Sequence, residues 1–241
     1  MTSLCSVQGL AGAFATVEEA VTRTARSTRL AIAAAVLATG ATACGNVPAE
    51  SPRPESASAG GSESTGLVWP APSDPMNVAA KAGLKPQPKE FLTNHVHAHL
   101  DVFVDGKPVT VPAGIGIRID DPAVQVDDMP DGSKRYGGID FCGQACISPL
   151  HTHGTDGFLH TESAFSEPNT LGEFFIEWGV ALDGSCVGTY CSPASTIAIY
   201  VDGELTTGDP RAIELTDQRE IAIVIGTPPD EIPKTADFSN A

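Results

Sequence analysis

The sequence predicts an α+β domain: a mainly antiparallel β-sheet with one covering helix, in a β-grasp-like order of elements. Three observations carry this expectation. Five Asp-Gly pairs, at Asp105, Asp131, Asp156, Asp183 and Asp202, punctuate the chain, and between alternating apolar segments such pairs signal hairpins. Short segments of period two flank several of them. One segment carries helical periodicity, and it falls between a first hairpin and a later group of strands.

In chain order, residues 95–104 and 107–111 form the first expected hairpin, turning at Asp105-Gly106. Strands are expected at 115–119, 148–153 and 157–162. Thr170 followed by Glu173 makes a capping box, after which Leu171, Phe174, Phe175, Trp178 and Leu182 recur at helical spacing. These aromatics read as a helix face packed on a sheet rather than as a ligand cage. A second hairpin joins 197–201 to 204–207 at Asp202-Gly203, and a strand at 220–225 closes the domain. Leu100-Asp101-Val102-Phe103-Val104-Asp105-Gly106 aligns with Ile197-Ala198-Ile199-Tyr200-Val201-Asp202-Gly203; hairpin convergence explains this as well as duplication does.

Three regions precede or make up the domain. Arg23, Arg26 and Arg29 lead into an apolar run at 30–43 that ends in small residues before Cys44. This is the order of a secretory signal, and the run is shorter than the ~20 residues a spanning helix needs. The approach to Cys44 resembles the lipobox of bacterial lipoproteins, with Ala41 where Leu is usual. Residues 1–44 are therefore expected to be a signal region, with the protein exported and lipid-anchored through Cys44 on the outer face of a bacterial cytoplasmic membrane. An uncleaved signal anchor, or simple secretory cleavage near Ala43, is the plain alternative. Glu18 and Glu19 sit badly in a signal's basic end, which points to a later translation start, near Val21. Residues 45–75, dense in Pro, Ser, Gly and Glu, predict a disordered tether, and residues 76–241 a single β-rich domain.

The formal net charge is −16. Without residues 1–44, 11 basic and 28 acidic residues remain, a formal charge of −17. That balance excludes a phosphate-binding footprint and so argues against nucleic acid as a partner. The acidic residues Asp120, Asp121, Asp127, Asp128 and Asp131 lack the spacing of an EF-hand loop and predict a solvated surface. There is no G-x-S-x-G elbow, phosphate-binding glycine loop or HExxH sequence.

All six histidines fall in two short regions: His95, His97 and His99, then His151, His153 and His160. On a strand, His95, His97, His99 and Asp101 share one face, and Val96, Ala98, Leu100, Val102 and Val104 share the other. At a rise of ~3.3 Å per residue, His95 and His99 have Cα atoms ~13 Å apart, and residues two apart ~6.6 Å. Imidazole-to-metal distances are ~2.0–2.1 Å. Neighbouring pairs can therefore chelate one ion, and ligands from elsewhere must complete the shell. If 151–153 and 158–162 are arms of one hairpin, His153 and His160 come together, with Glu162 on the same face. Imidazole suits zinc, copper, iron and nickel. Zinc or copper is the expected ion, with iron as an alternative; hydrogen-bonded sheet histidines are the plain alternative to metal.

The segment 147–153 through 157–163, together with 97–106 and 171–175, resembles a family of uncharacterised exported or membrane-anchored prokaryotic proteins. The resemblance spans roughly 91–228. In that family an Asp follows the second histidine, where this chain has Gly154 with Asp156 two positions on. The resemblance groups the histidines with Glu162 and implies no assigned reaction.

With Cys44 assigned to lipid, Cys142, Cys146, Cys186 and Cys191 are disulfide candidates in an oxidising compartment, with three pairings open. The alternative reading of Cys142 and Cys146 is a site for a soft metal such as Cu(I) alongside histidine. The expected function is a transition-metal-binding or trafficking module. Its rivals are a zinc or iron enzyme with Glu162 or Asp156 as base, and an envelope-interaction domain without metal.

Overall fold

A computed structural model of the protein describes residues 69–241. The expected signal region, Cys44 and residues 45–68 of the expected tether lie outside the described residues. Ordered packing begins before residue 76. Trp69 meets the Trp178 ring edge-on at 5.6 Å, and its carbonyl accepts from the Trp178 indole N–H at 3.0 Å. Helix α1 (Pro75–Lys81) follows, with the Asp74 side chain capping its first turn and Pro at its first position. Sequence patterning missed α1, because two turns are too short to show a period.

The main sheet is built around β1 (Asn94–Val104), which is followed by β2 (Lys107–Val109). Outside this sheet, β3 (Gln125–Asp128) pairs with β4 (Lys134–Gly137). Then come β5 (Leu150–His151), β6 (Phe158–Ser163) and helix α2 (Leu171–Trp178). A small hairpin joins β7 (Cys186–Val187) to β8 (Tyr190–Cys191), and β9 (Ile197–Val201), β10 (Glu204–Leu205) and β11 (Arg219–Ile225) complete the chain of strands. The main sheet runs β10-β9-β11-β1-β6-β5, with β2 also on β1. It is mixed rather than wholly antiparallel, because β1 and β11 lie parallel from Ala98↔Arg219 to Val104↔Ile225. Along its other edge β1 is shared. Its first half pairs with β6, from Asn94↔Ser163 to His99↔Phe158, and its last three residues pair with β2.

Both expected hairpin turns form. Asp105 and Gly106 have φ of 48° and 75°, and Asp202 and Gly203 have 53° and 81°, the paired positive values of a type I′ turn. Each turn is tied to one end of β11. The Asp105 N–H donates to the Ile225 carbonyl at 2.9 Å, and the Asp202 N–H to the Glu220 carbonyl at 2.8 Å.

The capping box of α2 is present, with the Thr170 side chain and Glu173 exchanging bonds with each other's backbone N–H. Gly179, at φ 76°, ends the helix in the left-handed conformation, so Leu182 lies beyond it. Leu171, Phe174, Phe175 and Trp178 join Leu100, Val102, Ile221 and Ile223 in one apolar core.

The expected strand at 115–119 is a turn instead. Gly114 and Gly116 adopt φ of 79° and 74°, which no extended strand accommodates, yet Ile115 and Ile117 stay buried. The strand expected over 148–153 shrinks to two residues. The acidic stretch forms the β3–β4 hairpin, and all four residues of β3 are exposed.

Disulfides join Cys142 to Cys146 and Cys186 to Cys191, the second across the β7–β8 pair. A thiolate copper site at Cys142 and Cys146 is therefore ruled out, because both sulfurs are already bonded to each other.

Candidate metal centre

Three adjacent strands carry the site. In register, His151 on β5 faces His160 on β6, which faces His97 on β1; two positions further along, on the same face, Glu162 faces His95. The alternation of β1 explains why these side chains share a face. Ala98, Leu100 and Val102 are buried in the core, and the intervening histidines project from the opposite face.

His151, His153, His160 and Glu162 are all buried, and each offers a ligand atom lying within 4.8 Å of the others. The ring centroids of His153 and His160 are 4.4 Å apart, and those of His151 and His153 4.7 Å. Two of the rings are oriented by backbone carbonyls: His151 Nδ1 bonds the Ser148 oxygen at 3.0 Å, and His153 Nδ1 bonds the Tyr136 oxygen. A carbonyl oxygen can only accept, so both Nδ1 atoms carry the proton and both Nε2 atoms present lone pairs. Those two lone pairs face each other across 3.3 Å. In neutral rings no hydrogen lies between them, and a positive charge is what would relieve the repulsion.

That spacing suits a metal ion. For imidazole nitrogens ~2.0–2.1 Å from an ion in tetrahedral geometry, the nitrogen-to-nitrogen edge is roughly 3.3–3.4 Å. Carbonyl oxygens that fix the tautomer of a ligating imidazole are a common outer shell of metal sites. Gly137 permits the close approach of β4, since a Cβ there would sit 2.9 Å from His153 Nδ1.

The other two groups complete the cluster. His160 Nδ1 is buried without a hydrogen-bond partner, 3.7 Å from Glu162 Oε1, and His153 Nε2 is 3.9 Å from the same oxygen. Burial lowers His160 to about 4 and, with the neighbouring His153, pushes His151 well below the usual imidazole range. Both rings are thus deprotonated at neutral pH, as ligands must be. Burial alone would raise Glu162, but the adjoining imidazoles of His153, His160 and His151 outweigh it and hold its carboxylate below the ordinary range.

The remaining histidines divide. His95, with 42% of its side chain exposed, places Nε2 3.4 Å from Glu162 Oε1, and His97 Nε2 is buried without a partner. His99 turns away to β11, where Nδ1 lies 2.9 Å from Glu220 Oε2 and Nε2 donates to the Asp156 carbonyl at 2.9 Å. Burial opposes charge on His99, but Glu220 and Asp101 outweigh it and raise its affinity for a proton. The face shared by three histidines on β1 therefore supplies two to the cluster and one to a buried pair. Asp156 stands apart as well, its carboxylate taking Arg135 at 3.3 Å and capping the Phe158 N–H.

Glu90 is the participant that sequence reasoning missed. Its Oε1 is buried without a partner, and burial together with Glu162 raises its carboxyl above the ordinary range. It borders a cavity of about 240 Å³ with Gln125, Asp127, Arg135 and His153. No pattern around residue 90 announces this; only the fold brings it to the histidines.

Comparison with protein-family models, with curated proteins and with solved structures finds no match to this chain. Among the described residues no helix is long and apolar enough to cross a membrane.

Proposed function

We propose that the protein is an exported, lipid-anchored bacterial protein whose β-rich domain binds a divalent transition metal through His151, His153, His160 and Glu162, acting as a binding or trafficking module. One observation carries the reading: two buried imidazole lone pairs, each fixed by a carbonyl on the far side of its ring, face each other at 3.3 Å. Three imidazoles and a carboxylate suit zinc or copper(II) best, and iron next. Four converging protein ligands favour holding an ion over working on a substrate. The basic, apolar and small-residue run ahead of Cys44 supports export and anchoring. Two disulfides support an oxidising compartment. The strand order β2-β1-β11-β9-β10, with α2 between the two hairpins, supports a β-grasp reading of the core.

A metal-dependent enzyme is the second reading, favoured by the cavity that reaches His153 beside Glu90. Glu90 is then a better base than Glu162, which is a ligand, or Asp156, which Arg135 holds.

The test is to strip the purified protein with chelator and titrate it with Zn(II) and Cu(II), reading bound metal by elemental analysis. Retention of metal, lost in His151→Ala/His153→Ala, is expected. A protein that neither copurifies with metal nor binds any on titration overturns the reading.

A further inference from the structure

Glu162 belongs to two groups at once. One is the buried set with His151, His153 and His160; the other is His95, His97 and Glu162, whose ligand atoms also lie within 4.8 Å of one another. The second set is more open, because His95 is exposed whereas every member of the first is buried. Its nitrogens are available. His97 Nε2 is buried with no hydrogen-bond partner, and His95 Nε2 has Glu162 Oε1 beside it at 3.4 Å. His95 and His97 also meet edge-on with ring centroids 4.6 Å apart, the reach of a neighbouring chelating pair.

We propose that the site holds two divalent transition-metal ions, with Glu162 as the carboxylate shared between them: an inner ion on His151, His153 and His160, and an outer ion on His95 and His97. This deepens the metal-binding reading and rests on it. His97 and His160, opposite each other in register with centroids 4.6 Å apart, serve different ions. Paired ions in shared-ligand sites are ~3.5–4 Å apart, and neighbouring strands ~4.8 Å, so one ion over β1 and one over β5–β6 fits the spacing of the sheet.

Two divalent ions on one carboxylate need further negative charge, and the surroundings carry it. Glu90 lies close enough to interact directly with Glu162 and has a buried, unpartnered Oε1. The Asp217 carboxylate accepts from the His97 backbone N–H at 3.4 Å. The chain as a whole carries −16. The outer ion, with fewer protein ligands and an exposed histidine, is the weaker and the more exchangeable, which places it on the path by which metal enters and leaves the inner position.

The proposal is tested by stoichiometry on the full chain, with Zn(II) alone and Cu(II) alone as probes. Equilibrium dialysis should give two ions per wild-type chain with separable affinities, and one in His95→Ala/His97→Ala. Because His95 is exposed, His95→Ala alone serves as a variant whose fold is unaffected; it should weaken the outer ion at least about tenfold and leave the inner one in place. With two Cu(II) bound, the electron paramagnetic resonance spectrum should show coupling between them that disappears in the double variant. A single ion in the wild type, or two ions in the double variant, overturns the shared site. A single ion that depends on His151 and His153 overturns only this inference, whereas no binding at all overturns the metal reading as well.

Discussion

Replacing His160 with Gln should change how the metal-free protein responds to acid. In the unfolded chain an imidazole takes up its proton near 6.5, whereas burial keeps folded His160 neutral down to about 4. Between those values the unfolded state binds a proton that the folded state refuses, so stability falls as pH falls through this window. At about 1.4 kcal/mol per pH unit, the difference between 6.5 and about 4 costs the wild type about 3 kcal/mol by pH 4. Gln cannot take up a proton, so His160→Gln escapes that loss. Other groups titrate in the same range, and comparing the two proteins removes those they share. Urea unfolding of chelator-treated protein at pH 7, 6, 5 and 4, followed by fluorescence of Trp69 and Trp178, measures it. His160→Gln should gain about 3 kcal/mol on the wild type between pH 7 and pH 4. A difference that stays constant with pH would refute the argument that burial holds this ring neutral.

Three further outcomes are expected. Zn(II) at about a hundred times its Kd should stabilise the folded state by about 2.7 kcal/mol, which for a domain of this size raises Tm by roughly 5–10 °C in a thermal melt; an unchanged Tm counts against binding to the folded state. His99→Ala leaves Glu220 buried without its imidazole and should cost about 3 kcal/mol in chemical unfolding, with metal stoichiometry unchanged; loss of metal would place His99 among the ligands. Glu177 is fully buried on α2 with both oxygens unpartnered, and burial raises its carboxyl well above the ordinary range, offset in part by Ser148. The unfolded chain ionises it near 4.5 while the folded one keeps the proton, so it destabilises the wild type increasingly as pH rises. Glu177→Gln should therefore gain stability relative to wild type from pH 5 to pH 8, and parallel curves would contradict this.

What the sequence made legible was local. The Asp-Gly pairs at 105 and 202, the Thr170–Glu173 cap and the two-faced pattern of β1 each depend on residues within a few positions, and each appears in the fold. The grouping of His151, His153, His160 and Glu162 was legible for the same reason, since one hairpin brings them together. What stayed hidden depends on contacts between distant segments. The parallel pairing of β1 with β11 is one, because no turn joins them. The partner of His99 is another, since Glu220 stands 121 positions away and acquires meaning only through that pairing. Glu90 is a third. At 115–119 the apolar alternation suggested a strand, and the positive φ of Gly114 and Gly116 outweighed it.

The division of β1 has an evolutionary consequence. Its later half pairs with β2 on one edge and β11 on the other, while its first half pairs with β6, beyond which β5 lies. The candidate ligands lie on this portion or next to it, away from the two turns that anchor β11, so substitutions at them leave the hydrogen bonds of those turns in place. A lineage could keep the scaffold while these candidate ligands change, or build another chemistry on the same strands. Descendants of one ancestor would then share a sheet but not an activity.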